Sequence, residues 1–288
     1  MAASKVITFI VIGFLISWIT PLSASSDKPL NESVIKEAAS VFDAINSIQN
    51  ILEQQGFEII GVVDHAANAA SVGLDLRPTQ LILFSDKSQE SKLISKAQTL
   101  AIDFPLKILV WEDDNGSINH FYNDPGYLVE RHRLRLNNHH LAEIAQTVRQ
   151  FGELNNGLIT VDSPFSVEQT IINLKDAIEG LTDKGFRIPF IIDFMSNEQH
   201  EIDYIGSTIL LIFGNPNAGT PLMQNQQRIG IDLPQKFLVW EDQHGQTRIT
   251  YNDIFFLAKR HNLQNVEQNL ENVSNALANF VKQATQEK

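Results

Sequence analysis

The feature that most constrains this chain is a long internal repeat. The segment "ILVWEDDNGSINHFYND" at residues 108–124 returns as "FLVWEDQHGQTRITYND" at residues 237–253, with an offset of 129 residues and no insertion between the copies. This offset has the size of a domain and exceeds the roughly 20–50 residues of solenoid repeats. The sequence therefore predicts a duplicated domain, with the two copies at residues 25–154 and 155–288.

Each copy shows the same order of hydrophobic patterns. Alternating or continuous apolar runs predict strands at residues 57–64, 79–85, 158–161, 186–193, 207–214 and 235–242. In the second copy Ser166 is placed to begin a helix and Gly185 to end it. The later "ND" pairs, with Pro125 in the first copy, are typical of a further helix start, and an amphipathic helix closes each copy. The order β-α-β-β-β-β-α predicts two α+β domains with mostly antiparallel sheets.

One predicted strand in each copy carries a lysine and a tryptophan on the same face. Lys236 and Trp240 share this face with a leucine, as do Lys107 and Trp111 in the first copy. The other face must pack on helices, so the second partly apolar face predicts contact with the sheet of the sister copy. We expect an intrachain pseudo-twofold pair with both tryptophans largely buried near it. The lysines are expected at the rim of this interface, and the alternative is that they form the floor of an anion site.

Residues 1–24 have the pattern of a secretory signal peptide. Lys5 precedes an uncharged apolar run at residues 6–19, and small residues follow near Ala24. The run is shorter than the roughly 20 residues that span a bilayer, so we predict cleavage and export to a bacterial periplasm. The alternative is an uncleaved leader, which is then the chain's membrane attachment.

Composition and motif content exclude several functions. The net charge of −12 repels phosphate backbones and argues against a nucleic-acid partner. The chain has no cysteine, which excludes disulfides, thiolate metal sites and cysteine nucleophiles. The sequence contains no nucleophile elbow, zinc motif or dinucleotide fingerprint. We therefore predict neither a metal nor a cofactor.

Three segments carry a family resemblance. They are "LPQKFLVWEDQHGQTRITYND" and "FGNPNAGTPLM" in the second copy and "DHAANAASVGLDLRPTQLILF" in the first. Together they resemble the bacterial family known as domain of unknown function 302, and the likeness covers nearly all of both copies. The resemblance implies a β-α-β4-α fold similar to the TATA-binding-protein class, and self-association. It implies no established activity.

The segment "GNPNAGTPLM" is the strongest candidate for a binding loop. Gly214 and Gly219 permit backbone shapes that present N–H groups to a ligand, and Asn215 and Thr220 add hydrogen-bonding side chains. The favoured alternative is a rigid turn between a strand and a helix, formed by Asn215 and Pro216.

Histidines supply the other candidates. His65, which follows Asp64, is a potential ligand or proton donor, although a hydrogen-bonded, half-buried histidine is the favoured alternative. His132 and His261 each follow an arginine at a predicted helix C-terminus, where a capping role is sufficient.

The family motif is divided between the two copies. The first copy keeps Asp64-His65 but has "FSDKSQESKLI" where the resemblance implies the Gly-Asn-Pro segment. The second keeps "FGNPNAGTPLM" but has Asp193-Phe194 in place of Asp-His. We therefore predict one composite site across the interface between the copies, in which His65 faces the segment 214–220. The competing explanation is that both sites have decayed.

These observations predict a non-catalytic protein that binds a small molecule or a protein partner. The alternatives are a periplasmic hydrolase or lyase that uses His65, and a purely structural interaction protein. The candidate ligand-binding residues are His65, Asp64, Gly214, Asn215, Pro216, Gly219, Thr220, Lys107, Lys236, Trp111 and Trp240.

Overall fold

The computed structural model of the protein describes residues 35, 37–134, 156–194 and 206–286. The predicted signal peptide at residues 1–24 and the predicted last helix of the first copy, at residues 141–151, lie outside these ranges. In the described part of the chain, no helix is both long and apolar enough to cross a membrane.

In the described part of the first repeat, four antiparallel strands form a sheet in the order β1-β2-β3-β4. Its elements in chain order are α1 (Val41–Gln54), β1 (Glu58–Asp64), α2 (His65–Ala70), β2 (Thr79–Ser85), α3 (Lys87–Ile94), a 3-10 turn (Gln98–Ile102), β3 (Leu106–Glu112), β4 (Ile118–Tyr122) and α4 (Pro125–Arg131). Strands that are neighbours along the chain are therefore neighbours in the sheet.

Among its described residues, the second repeat has five antiparallel strands in the order β5-β9-β8-β7-β6. Its elements are β5 (Leu158–Asp162), α5 (Val167–Glu179), a 3-10 turn (Thr182–Lys184), β6 (Arg187–Asp193), β7 (Thr208–Gly214), α6 (Pro216–Asn225), a 3-10 turn (Gln227–Ile231), β8 (Gln235–Glu241), β9 (Thr247–Asn252), α7 (Ile254–Arg260) and α8 (Glu267–Thr285). The α+β class is confirmed, and the second repeat has the predicted order of strands and helices along the chain. The predicted first strand of the first copy lies outside the described residues.

Capping residues set most helix boundaries where the sequence places them. Ser166 caps α5, and Asp124 and Asp253 cap α4 and α7 through their carboxylates. The predicted end of α5 is wrong, because the helix stops at Glu179 and Gly185 instead closes the following 3-10 turn with φ +95°. The Thr182 hydroxyl donates to the Glu179 carbonyl and satisfies a terminal helix acceptor at that point.

The two sheets pack face to face, and helices cover their outer faces. Helix α1 buries the outer face of the first sheet, and α5 and α8 bury that of the second. The inner faces form one shared core, to which both repeats contribute. Its strand residues include Val63, Leu81, Leu83 and Leu109 from the first repeat and Leu210, Ile212 and Leu238 from the second. The repeats are therefore a single packed pair.

Reciprocal hydrogen bonds reveal the pseudo-twofold relation of this pair. Gln98 Nε2 donates to Thr208 Oγ1 over 3.2 Å, and the equivalent Gln227 Nε2 donates to Thr79 Oγ1 over 2.8 Å. In each of these two bonds, the glutamine belongs to one repeat and the threonine belongs to the other. Such exchange of equivalent contacts is the property that defines an isologous interface.

A second reciprocal set joins an arginine at the end of a helix in each repeat to an asparagine of the other repeat. Arg131 Nη2 donates to Asn252 Oδ1, and Arg260 Nη2 donates to Asn123 Oδ1. Trp111 and Trp240 are partly buried against the shared core, at the pairing of the sheets where the sequence predicts them. The indole Nε1 of Trp240 donates to Thr250 Oγ1.

Candidate functional site

A cavity of about 730 Å³ lies where the first repeat meets the helical side of the second. Its walls come from the outer face of the second sheet, from α6 and α8, and from the junction of β1 with α2. Aromatic and aliphatic side chains form most of the walls, including Phe190, Phe213, Met223, Val273 and Phe280. The volume falls within the roughly 300–1,000 Å³ range of small-molecule sites.

The segment "GNPNAGTPLM" forms one wall of this cavity, but it is not the predicted loop. Asn215 is an N-cap residue whose Oδ1 accepts from Asn217 N, and Pro216 opens helix α6. Gly214 and Gly219 do not take positive φ values. Proline at the first helical position and a capping asparagine favour a helix here over an open turn. All five predicted residues of this segment still line the cavity.

Two buried polar side chains in the cavity wall have no partner. The Thr220 hydroxyl, and both the nitrogen and the oxygen of the Gln235 amide, make no hydrogen bond to any described residue. Thr220 is 1% exposed and Gln235 8% exposed. A buried polar group without a partner costs about 1–3 kcal/mol, so Thr220 and Gln235 are the wall side chains that gain most by turning a polar atom toward a ligand.

Gln235 was missed as a candidate. It lies on β8 with Phe237 and Val239, the face that packs on the helices. The sequence feature that could have identified Gln235 is a glutamine on an otherwise apolar strand face. Its counterpart in the first repeat, at the same repeat position, is Leu106.

Asp64 and His65 line the same cavity from the first repeat. The Asp64 carboxylate caps α2 by accepting from Ala67 N and also accepts from Gln80 Nε2. His65 is buried, and its Nε2 donates to the Gly230 carbonyl of the second repeat over 3.2 Å. The structure therefore brings the two halves of the divided motif to a single cavity.

Burial sets the charge state of this histidine. Removal from water lowers the pKa of His65 to about 4, against weaker opposing effects of the Gly230 hydrogen bond and Asp64. The imidazole is then neutral near pH 7. In that state it is a poor general acid, and its Nε2–H is already engaged.

The pKa of His65 predicts a pH-dependent stability. Between pH 6.5 and about 4 the unfolded chain binds a proton here that the folded chain does not. The free energy of unfolding should therefore fall as the pH drops through this window, by up to about 3 kcal/mol. Denaturant unfolding of wild type and His65→Gln at pH 7 and pH 4 measures the effect.

The comparison of wild type with His65→Gln separates the effect of His65 from that of Glu90, whose titration changes the free energy of unfolding in the opposite direction. Burial raises the pKa of Glu90 to about 7, so its contribution to stability declines as the pH rises from 4.5 to 7. Glu90 is present in both proteins and cancels in their difference. Equal acid sensitivity of wild type and His65→Gln would contradict the assignment.

The site that is equivalent to this cavity under the pseudo-twofold relation is filled by side chains. Phe194, the counterpart of His65, is buried in the shared core. Glu90, the counterpart of Gly219, is also buried, and its carboxylate accepts from Ser85 Oγ. Side-chain atoms thus replace the open space that Gly219 and Gln235 border in the second repeat.

The predicted lysines lie elsewhere, in a buried charge network between the sheets. Neither Lys107 nor Lys236 lines the cavity, and neither is at a rim, since they are 5% and 2% exposed. Trp111 and Trp240 also stand outside the cavity wall. Of the eleven sequence candidates, seven line the cavity, the two lysines lie in the charge network, and the two tryptophans pack against the shared core.

Each repeat contributes an acid at the centre of this network. Asp103 accepts from Arg131 Nη1 through both carboxylate oxygens over 3.0 Å, and its Oδ2 is 2.7 Å from His132 Nε2. Burial by itself raises the pKa of Asp103, but Arg131 and His132 outweigh burial and hold the pKa well below its ordinary value. His132 is also the C-cap residue of α4, as the sequence predicts. Its contact with Asp103 is not evident from the sequence.

The second repeat repeats this arrangement. Asp232 Oδ2 accepts from Arg260 Nη1 over 2.7 Å and is 2.6 Å from His261 Nε2. The sequence feature that indicates this network is the repeat itself, because aspartate, arginine and histidine recur together at equivalent positions of both copies. Within the described ranges, no group of three or more histidine and acidic side chains is placed to hold a metal ion.

The fold and the cavity define a fused pair of α+β domains with a pocket at their junction. The sequence profile described as "Domain of unknown function DUF302" matches residues 33–152 and 159–283, and the chain belongs to this family. A crystal structure titled as an uncharacterized conserved protein DUF302 from Bacillus stearothermophilus is similar at 20% identity and a TM-score of 0.40. It covers 44% of this chain and 98% of its own.

Curated relatives match one part of the chain. The Fluoride-specific ion channel FluC 1 of Brucella suis biovar 1 is 37% identical over 110 residues, which are 38% of this chain and 42% of that protein. The Fluoride-specific ion channel FluC 1 of Brucella abortus biovar 1 is also 37% identical over 110 residues, with 38% and 40% covered. The chain spans about two fifths of the length of these relatives.

Proposed function

We propose that this chain is an exported, non-catalytic protein that binds a small molecule in the cavity between its repeats. The observation that carries the proposal is that the wall of one cavity contains both the unpartnered amide of Gln235 and the unpartnered hydroxyl of Thr220. In native proteins buried polar atoms are almost always satisfied. A ligand with a hydrogen-bonding edge satisfies both side chains and fills the apolar remainder.

The chemistry of the walls favours a neutral ligand with an apolar body. The carboxylate of Asp64 is taken up by Ala67 N and Gln80, and Arg187 donates to the backbone carbonyls of Thr182 and Phe186. These two charged side chains therefore make hydrogen bonds within the protein, and the wall groups that lack partners, on Thr220 and Gln235, are neutral. A primary amide such as Gln235 pairs best with a group that offers a donor and an acceptor side by side.

Non-catalytic binding is also favoured by the state of His65. Its Nε2 is committed to Gly230, and burial lowers its pKa to about 4. General acid–base groups work best with a pKa near the operating pH. The name Fluoride-specific ion channel belongs to proteins of which this chain covers about two fifths, and the proposal rests on the cavity alone.

The probe for this proposal is 2-quinolinone, an apolar bicycle whose N–H and C=O share one edge. We expect it to raise the melting temperature of the wild-type protein, because binding to the native state stabilises by RT ln(1 + [L]/Kd). N-methyl-2-quinolinone lacks the donor and should bind about tenfold more weakly, which is the loss expected for roughly one hydrogen bond.

Gln235→Leu supplies the matched variant, because leucine is the residue of the first repeat at this position. It should bind both probes equally weakly, and the free variant should be more stable than wild type, since it buries no unpaired amide. Gln243→Leu, in an exposed turn, is the control and should keep the difference between probes. A wild-type protein that responds to neither probe would contradict the proposal.

Export is a separate part of the proposal. It rests on the apolar run at residues 6–19 and the small residues near Ala24. N-terminal sequencing of protein recovered from its native host should begin near Ser25. An intact N-terminus in the membrane fraction supports the anchored alternative instead.

A further inference from the structure

We infer that Phe190 selects a ligand with a flat aromatic ring, and that Gly61 of the other repeat is the positioning residue that seats the Phe190 side chain. The inference rests on the proposed function and adds to it a ligand class and the residues that select this class. Phe190 is part of the cavity wall, whereas Gly61 lies on β1 beside the wall residue Val62.

The Phe190 ring is an aromatic surface of the wall that no other ring occupies. The described wall also contains Phe186, Phe213 and Phe280. Phe280 packs edge to face against both Phe186 and Phe213, with ring centroids 5.3 and 5.7 Å apart. Among the described residues, Phe190 makes no contact of this kind with another aromatic ring. A flat ring of a ligand therefore gains an aromatic contact at Phe190 that the protein itself does not supply.

The tip of this ring lies over the backbone of Gly61. A Cβ atom at position 61 would be 2.9 Å from Phe190 Cζ and 3.0 Å from Cε1, which is closer than the roughly 3.5–4.0 Å at which carbon atoms pack. No other described atom comes within 4 Å of that position. Gly61 does not take a positive φ, so the ring is what a side chain at position 61 would displace.

Gly61 and Phe190 are equivalent positions of the two repeats. They share the offset of 129 residues, and each lies on an outermost strand of the described sheets, where the pairing register shifts. Because the ring of one occupies the space that a side chain of the other needs, only one repeat can present a phenylalanine here. That repeat is the second, which also supplies α6 and Gln235 to the cavity wall. The asymmetry of this pair therefore agrees with that of the divided motif.

Two lactams with the same polar edge test the selection of a flat ring. They are 2-quinolinone and its saturated analogue octahydro-2-quinolinone, which keeps the N–H and C=O on a bicyclic skeleton but is puckered. We measure the ratio of their affinities by isothermal titration calorimetry. Phe190→Leu should lower the preference for 2-quinolinone by about three- to tenfold, which is the loss expected for one aromatic contact.

Gly61→Ala tests the seating of the ring without changing a wall residue. The added methyl group should displace the ring tip toward the open volume of the cavity, and the preference for 2-quinolinone should fall as it does in Phe190→Leu. In the Phe190→Leu background, Gly61→Ala should leave both affinities unchanged, because leucine lacks the Cε and Cζ atoms that meet the methyl group. A loss of stability alone does not produce this non-additivity.

Phe255→Leu, at an exposed position of α7, is the control and should keep the wild-type ratio. Thermal unfolding checks that each variant is folded. Binding of neither lactam by wild type would overturn the proposed function and this inference with it. Binding with the same ratio in wild type and Phe190→Leu would overturn this inference and leave the proposed function standing. Additive effects of Gly61→Ala and Phe190→Leu would refute the role of Gly61.

Discussion

Replacing Arg131 with methionine is expected to lower the free energy of unfolding by about 3–5 kcal/mol. Arg131 is 4% exposed and donates to both oxygens of Asp103, to the Asn156 carbonyl and to Asn252 of the other repeat. Methionine occupies similar volume but leaves the buried Asp103 carboxylate without its principal counter-charge. Denaturant unfolding at pH 7 measures the loss.

Arg248→Met is the matched control. Arg248 also forms two ion pairs, with Asp162 and Asp242, but its side chain is 32% exposed. Exposed pairs contribute about 0–1 kcal/mol, so this variant should lose far less. If the two variants lose similar amounts, the buried network does not hold the repeats together as described.

Filling the cavity should abolish binding of 2-quinolinone while the fold persists. Ala276 of α8 lines the cavity, and Ala276→Phe places a ring in the space the ligand needs. We expect binding to weaken by more than about tenfold. The melting temperature should change little, because the new ring enters open volume rather than packed core. Isothermal titration calorimetry measures the affinity and thermal unfolding checks the fold.

A substitution on the solvent side of the same helix controls for changes in α8 itself. Asn275→Phe is suited to this, because Asn275 is exposed. It should bind 2-quinolinone with wild-type affinity. Unchanged binding in Ala276→Phe would place the ligand outside the cavity.

Most of the fold could be predicted from the internal repeat and from the periodicity of apolar residues in the strands. Leu109 and Leu238 alternate with the residues that face the helices, so a second apolar face was visible and the sheet-to-sheet pairing followed from it. The N-caps at Ser166 and Asp253 could also be predicted from the local sequence. Such features depend on neighbours a few residues away.

Features set by distant contacts were not accessible in the same way. The burial of Lys107 depends on Asp103 and on the sister sheet, which the sequence of one strand does not reveal. The segment at Gly214 was expected to be a loop, and its helix depends on the cap at Asn215 as well as on packing against the first repeat. The divided motif directed attention to His65, which lines the cavity, although Gln235 was overlooked.

A crystal structure of the full chain soaked with 2-quinolinone tests the central claim most directly. The account predicts the bicycle in the cavity between the repeats, with its N–H and C=O against the Gln235 amide and within reach of the Thr220 hydroxyl. Density for water alone on Gln235 and Thr220 at a saturating probe concentration, or a probe bound only elsewhere on the protein, would contradict it.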